Sequence, residues 1–121
     1  MNCKSEFLNH LRQNGLTTSD ILCVWIEREN YYGGGNHPIY ELTLGWTNEE
    51  LNQFLESLDF DYDSGYGSQE VFGQIWYQNG SWSERGEYDG SEWWSFITRP
   101  KIPDNLNRID KVREEKLNKI L

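Results

Sequence analysis

Residues 70–98, EVFGQIWYQNGSWSERGEYDGSEWWSFIT, decide the fold of this chain. Three runs rich in aromatic and β-branched residues are separated by Asn79-Gly80 and Asp89-Gly90, dipeptides suited to the positive φ angles of a type I′ hairpin turn. The spacing predicts a three-stranded antiparallel meander with strands at 70–78, 81–88 and 91–98. If both turns hold two residues, the second pairs Tyr88 with Ser91, Glu87 with Glu92, Gly86 with Trp93, Arg85 with Trp94 and Trp82 with Ile97. The first pairs Tyr77 with Trp82, Trp76 with Ser83 and Gln74 with Arg85. Side chains alternate along a strand, so two faces follow. Val71, Ile75, Tyr77, Trp82, Trp93 and Ile97 form an expected core. Phe72, Gln74, Trp76, Arg85, Glu87, Glu92, Trp94 and Phe96 form a second face that is neither core nor ordinary surface.

On that second face Glu87 opposes Glu92, which costs up to about 1 kcal/mol unless a cation intervenes. Arg85 is the local cation and can also lie on Trp94. Three readings stay open: a structural ladder, a partner or ligand surface with an Arg flanked by indoles and carboxylates, or paired carboxylates doing acid–base chemistry. A glycosidase sets its carboxylates across a cleft, which a flat ladder does not provide.

The remaining chain supplies the other elements. Residues 4–14 put Phe7, Leu8 and Leu11 on one side of a short helix that Gly15 can end. ILCVWIERE (21–29) and IYELTL (39–44) read as a hairpin around the loop NYYGGGNHP, 30–38. Thr47 and Glu50 make a capping box ahead of the stripe Leu51, Phe54, Leu55 and Leu58, predicting a helix over 48–58. Pro100 and Pro103 end the sheet, and Asp104 can cap a last helix with Leu106, Ile109, Val112, Leu117 and Ile120 apolar. The expected fold is a single α+β domain over 1–121. It has about five antiparallel strands, one hairpin plus the meander, packed with three helices in the order α-ββ-α-βββ-α.

The bulk properties fit one core, since 121 residues bury roughly two-thirds of the unfolded surface. Aromatics make up 15% of the chain, including six Trp, which favours a folded domain over a disordered one. The net charge of −9 is unevenly spread. Residues 1–98 carry 4 basic and 16 acidic side chains, whereas 99–121 carry 7 and 4. Such a body repels free nucleic acid and attracts basic proteins. Cys3 and Cys23 are read as reduced thiols, and without a CxxC or Cys/His ligand spacing zinc has no support. With no signal peptide and no long apolar run, a soluble, cytoplasmic chain without membrane association is expected.

Among possible sites, DFDYDSGYGSQE (59–70) places Asp59, Asp61, Asp63 and Glu70 at positions 1, 3, 5 and 12 of a calcium loop. Position 6 is Ser64 instead of glycine, and a strand follows where a helix belongs, so an acidic connection is the competing reading. Gly33, Gly34 and Gly35 lack the lysine and helix of a phosphate loop. His10 and His37 stand in no recognisable catalytic signature.

The run GQIWYQNGSWSERGEYDGSEWW (73–94), followed by KIP (101–103), resembles a cassette, SWxERGEYDGSEWW, in small proteins of bacteriophages and integrated mobile elements. The likeness covers about 59–103 and carries over no catalytic residues. It implies a phage origin and an anti-defence role, as in anti-CRISPR inhibitors that bind a Cas effector or its guide-RNA complex and obstruct guide or target nucleic acid. A type VI, RNA-targeting effector is one candidate. On that reading the chain is not an enzyme and needs no cofactor. Glu49, Glu56, Asp59, Asp61 and Asp63 would attract the basic partner, and Trp76, Arg85, Glu87, Glu92 and Trp94 would make the specific contacts. The alternative is a small-ligand or nucleotide binder, a sponge for a defence signal, using an aromatic–Arg pocket.

Overall fold

The structure is a computed structural model that describes residues 1–29, 37–65, 67–100 and 102–106. Five antiparallel strands form one sheet: β1 (Ile21–Arg28), β2 (Ile39–Leu42), β3 (Val71–Tyr77), β4 (Trp82–Tyr88) and β5 (Ser91–Ile97), in the order β2-β1-β3-β4-β5. The hairpin and the meander therefore join through the antiparallel pairing of β1 with β3. Two α-helices, α1 (Cys3–Gln13) and α2 (Asn48–Ser57), complete the α+β fold among the described residues. Of the expected last helix, only a 3-10 turn at Asp104–Leu106 is described, and 107–121 lie outside the described residues, as does the loop at 30–36 with its three glycines.

Each helix begins on a side-chain cap. The Ser5 amide donates to Asn2 Oδ1 at 2.9 Å ahead of α1. At α2 the Glu50 amide donates to Thr47 Oγ1 at 3.2 Å while the Thr47 amide donates to Glu50 Oε1 at 3.1 Å, the reciprocal box expected from the sequence. Both helices cover the same side of the sheet. Phe7 of α1 meets Phe54 of α2 edge-on at 5.8 Å and Trp94 of β5 at 6.1 Å. Phe7, Leu11, Ile21, Val24, Ile26, Leu42, Leu58, Val71, Ile75 and Tyr77 form the core between the layers.

The two hairpin turns differ, and that difference decides which side chains are inside. At Asp89-Gly90 both residues have positive φ, 52° and 87°, and β4 pairs with β5 in the expected register, from Trp82 with Ile97 to Tyr88 with Ser91. At the first turn only Gly80 has positive φ, 87°. The Tyr77 amide donates to the Ser81 carbonyl at 3.0 Å, so the loop holds three residues, Gln78, Asn79 and Gly80. Asn79 Oδ1 secures it by accepting from the Ser81 amide at 2.9 Å. Ile75 consequently pairs with Ser83, Trp76 with Trp82 and Gln74 with Glu84, one residue away from the expected register.

A slip of one residue exchanges the faces of every side chain beyond it. The expected division of β3 holds, with Val71, Ile75 and Tyr77 buried. That of β4 and β5 is inverted. Trp94 and Glu92 lie within the covered side, while Trp93, expected in the core, is 41% exposed.

Candidate functional site

The covered side contains an ionic cluster built on Arg85 and Glu92, residues for which a structural ladder and a partner surface were both open readings. The Arg85 side chain is 1% exposed and Glu92 is fully enclosed. Arg85 Nη1 donates to Glu6 Oε1 at 2.9 Å, and Nη2 donates to Glu92 Oε1 at 3.1 Å and to the Tyr62 hydroxyl at 2.9 Å. Tyr62 in turn donates to Glu6 Oε1 at 2.5 Å. Glu92 also accepts the backbone amides of Glu70 at 2.8 Å and Val71 at 2.9 Å, fixing the start of β3. The guanidinium lies 5.1 Å from the Trp94 ring. Burial works to lower the Arg85 pKa, but Glu6 and Tyr62 outweigh it and the net direction is upward, so the group stays cationic. Burial, with the hydrogen bond to Glu6 adding to it, pushes the Tyr62 hydroxyl far above its usual range. Arg85, Glu92 and Trp94 are thus a structural network under α1, not partner contacts; the three-residue turn is the physical reason.

Glu87 remains exposed, with Oε1 accepting the Gly90 amide at 2.8 Å across its own turn. The opposed pair Glu87 and Glu92 forms as expected, each carboxylate being satisfied separately. Trp76 is also on the surface, 37% exposed.

The acidic residues of 49–70 lie apart from Trp76. Glu49 and Glu56 are exposed on α2, and Asp59, Asp61 and Asp63 are exposed in the segment that follows it. Asn2 Nδ2 donates to Asp59 Oδ1 at 2.9 Å and to Asp61 Oδ1 at 3.2 Å, tying this segment to the start of α1. Cys3 and Tyr62 extend that tie through backbone bonds to Phe60 and Met1. Among the described residues no three potential ligands gather, so Asp59, Asp61, Asp63 and Glu70 do not assemble the oxygen cage of a calcium loop.

A second polar chain went unseen in the sequence. His10 Nε2 lies 2.7 Å from Ser83 Oγ, which lies 2.7 Å from the Tyr77 hydroxyl. The pair has the spacing of a nucleophile and its base, but Ser83 is 0% exposed and meets no solvent. Burial lowers the His10 pKa, with Arg85 adding to it, and burial pushes Tyr77 up to about 12 against the opposing bond from Ser83. Partners 73 residues apart leave no local motif, and only the fold brings them together.

The opposite side of the sheet carries no described helix. Register places Trp76 between Cys23 and Trp82, with Ile97 beyond Trp82, in one row. In the next row Trp25 stands between Glu41 and Gln74, with Glu84 beyond Gln74. Trp93 lies over Gly86, where an added Cβ would come within 2.7 Å of its Nε1, and that nitrogen donates to Ser95 Oγ at 2.9 Å. Four of the chain's six indoles therefore decorate this side. Trp82 and Trp93 were expected in the core because the slip hid the true face of β4 and β5, and Trp25 on β1 was assigned to no face. The local signal was Gly86 opposite Trp93, the vacancy a flat indole needs. Beside Trp25 and Glu41 is an open recess of about 440 Å³, also lined by Cys23 and Leu44.

Among the described residues no helix is long and apolar enough to cross a membrane. No family model, curated protein or solved structure matches this chain.

Proposed function

We propose that this chain is a non-enzymatic anti-defence inhibitor from a phage or mobile element. On this reading it is an anti-CRISPR protein that binds a Cas effector in the host cytoplasm, type VI being one candidate, and blocks guide or target nucleic acid. The observation that carries this reading is the side of the sheet that bears no described helix, where Trp25, Trp76, Trp82 and Trp93 stand among carboxylates. Indoles at a surface supply the buried anchors of protein interfaces, and the acidic body supplies attraction toward a basic, nucleic-acid-handling partner. The cassette resemblance adds the anti-defence context.

The nucleotide-binding alternative loses the pocket it was built on. Arg85 is committed to two carboxylates under α1, and among the described residues the outward strand positions offer no Lys or Arg to meet a phosphate. The test is binding and inhibition against purified effectors spanning the major CRISPR types. Inhibition with a stable complex is expected from at least one, with association slowed by salt. Absence of binding and inhibition across the panel would overturn the reading.

A further inference from the structure

Resting on that reading, we propose that the side of the sheet without a described helix is the docking surface, and that it binds an arginine-bearing segment of the protein partner. One guanidinium enters the recess between Trp25 and Glu41.

The first ground is unanswered charge. Among the described strand residues the outward positions include Glu27, Glu41 and Glu84 and no Lys or Arg. None of these three carboxylates has a hydrogen bond or ion pair among the described residues, in contrast to Glu6 and Glu92 on the covered side. Glu41 and Glu84 lie in the same row with Trp25 and Gln74 between their strands, three strand spacings or roughly 14 Å apart. A folded chain leaves such carboxylates solvated, or presents them to cations from elsewhere.

The second ground is the chemistry beside those charges. A guanidinium is planar, weakly hydrated and able to stack on an aromatic face while donating two parallel hydrogen bonds to a carboxylate. Trp25 and Glu41 are direct cross-strand neighbours and line the same recess, so one side chain can meet both. Lysine offers no planar stack and no fork. The row of Trp76, Trp82 and Ile97 adjoining it supplies the apolar centre on which the rest of the segment rests, with the acidic row as its rim.

Charge also argues against a second copy as the occupant, because pairing this side with itself brings the carboxylates of two acidic bodies together. The chain's own segment 107–121 is basic in sequence and is the remaining competitor.

The experiment titrates the full chain with an oligo-arginine peptide and an oligo-lysine peptide of equal length, following the six indole N–H signals by NMR. The arginine peptide is expected to shift Trp25 and Trp76 first and to bind roughly tenfold or more tighter than the lysine peptide. Glu41→Lys and Glu84→Lys, both exposed and compatible with the fold, are expected to weaken it roughly tenfold together. Glu49→Lys with Glu56→Lys on α2 is the charge-matched control and should cost much less. Equal binding of the two peptides, or equal loss from the control, would overturn the inference. So would shifts of Trp25 and Trp76 caused by Val112→Glu in the chain alone with no response to peptide, which would assign this side to the chain's own C-terminal segment. Concentration-dependent dimerisation abolished by Glu41→Lys would also overturn it. Effector inhibition that survives Glu41→Lys and Glu84→Lys would leave the proposed function standing and remove only this surface. Selective arginine binding without any effector target would do the reverse.

Discussion

Arg85 shows what the sequence disclosed at the scale of single residues and what it withheld. Its local relations were legible: it is the cation beside the Glu87–Glu92 pair, and it lies against Trp94. Its distant relations were not, because Glu6 and Tyr62 stand 79 and 23 residues away and meet it only after α1 and the 59–62 segment have packed. Replacing Arg85 with Leu strands Glu92 without its cation inside the protein, and a loss of about 3–5 kcal/mol is expected in urea unfolding. His10 gives a pH signature. Its folded pKa lies below the ordinary value near 6.5, so the unfolded chain binds the proton more readily and stability falls as pH drops below about 6.5. Between pH 7.5 and 5.5 the unfolding midpoint should decline in the wild type and decline less in His10→Gln. Thiol labelling offers a further check. Burial, partly opposed by Arg85, pushes Cys3 up to about 12, so native labelling should reach Cys23 and leave Cys3 until the chain unfolds.

For the secondary-structure elements, the five strands and the two described α-helices were legible because each has its own periodicity and its own stop signal. The capping box of α2 and the Asp89-Gly90 turn were local enough to fix both boundary and geometry. The exception was the count of residues in the Asn79-Gly80 turn. Asn-Gly serves a two-residue turn and also the end of a three-residue turn whose glycine is left-handed, and only the completed ladder distinguishes them. That single residue moved Arg85, Glu92 and Trp94 under α1 and turned Trp82 and Trp93 outward. Gly80→Ala, forced to hold a φ of 87°, is expected to cost roughly 1 kcal/mol or more. Thr47→Ala, which removes the cap of α2, should cost about 1 kcal/mol. Thermal unfolding of the two variants measures both.

Across the whole molecule, the two layers divide the protein's charges by what they do. On the covered side Arg85 is held between Glu6 and Glu92, and the other side of the sheet leaves Glu27, Glu41 and Glu84 without an ion pair among the described residues, on the same sheet face as Trp25 and Trp76. The acidic imbalance was plain from composition, but which face of the sheet each carboxylate and indole occupies depended on register. A partner drawn by this charge should associate more slowly as salt rises, with a smaller effect on dissociation. The most direct measurement compares inhibition of a bound effector by two charge-reversed proteins, Glu41→Lys with Glu84→Lys and Glu49→Lys with Glu56→Lys. Loss of inhibition in the first pair with retention in the second is the predicted result. Retention in the first pair with loss in the second would put the working surface on the helix layer and contradict the assignment.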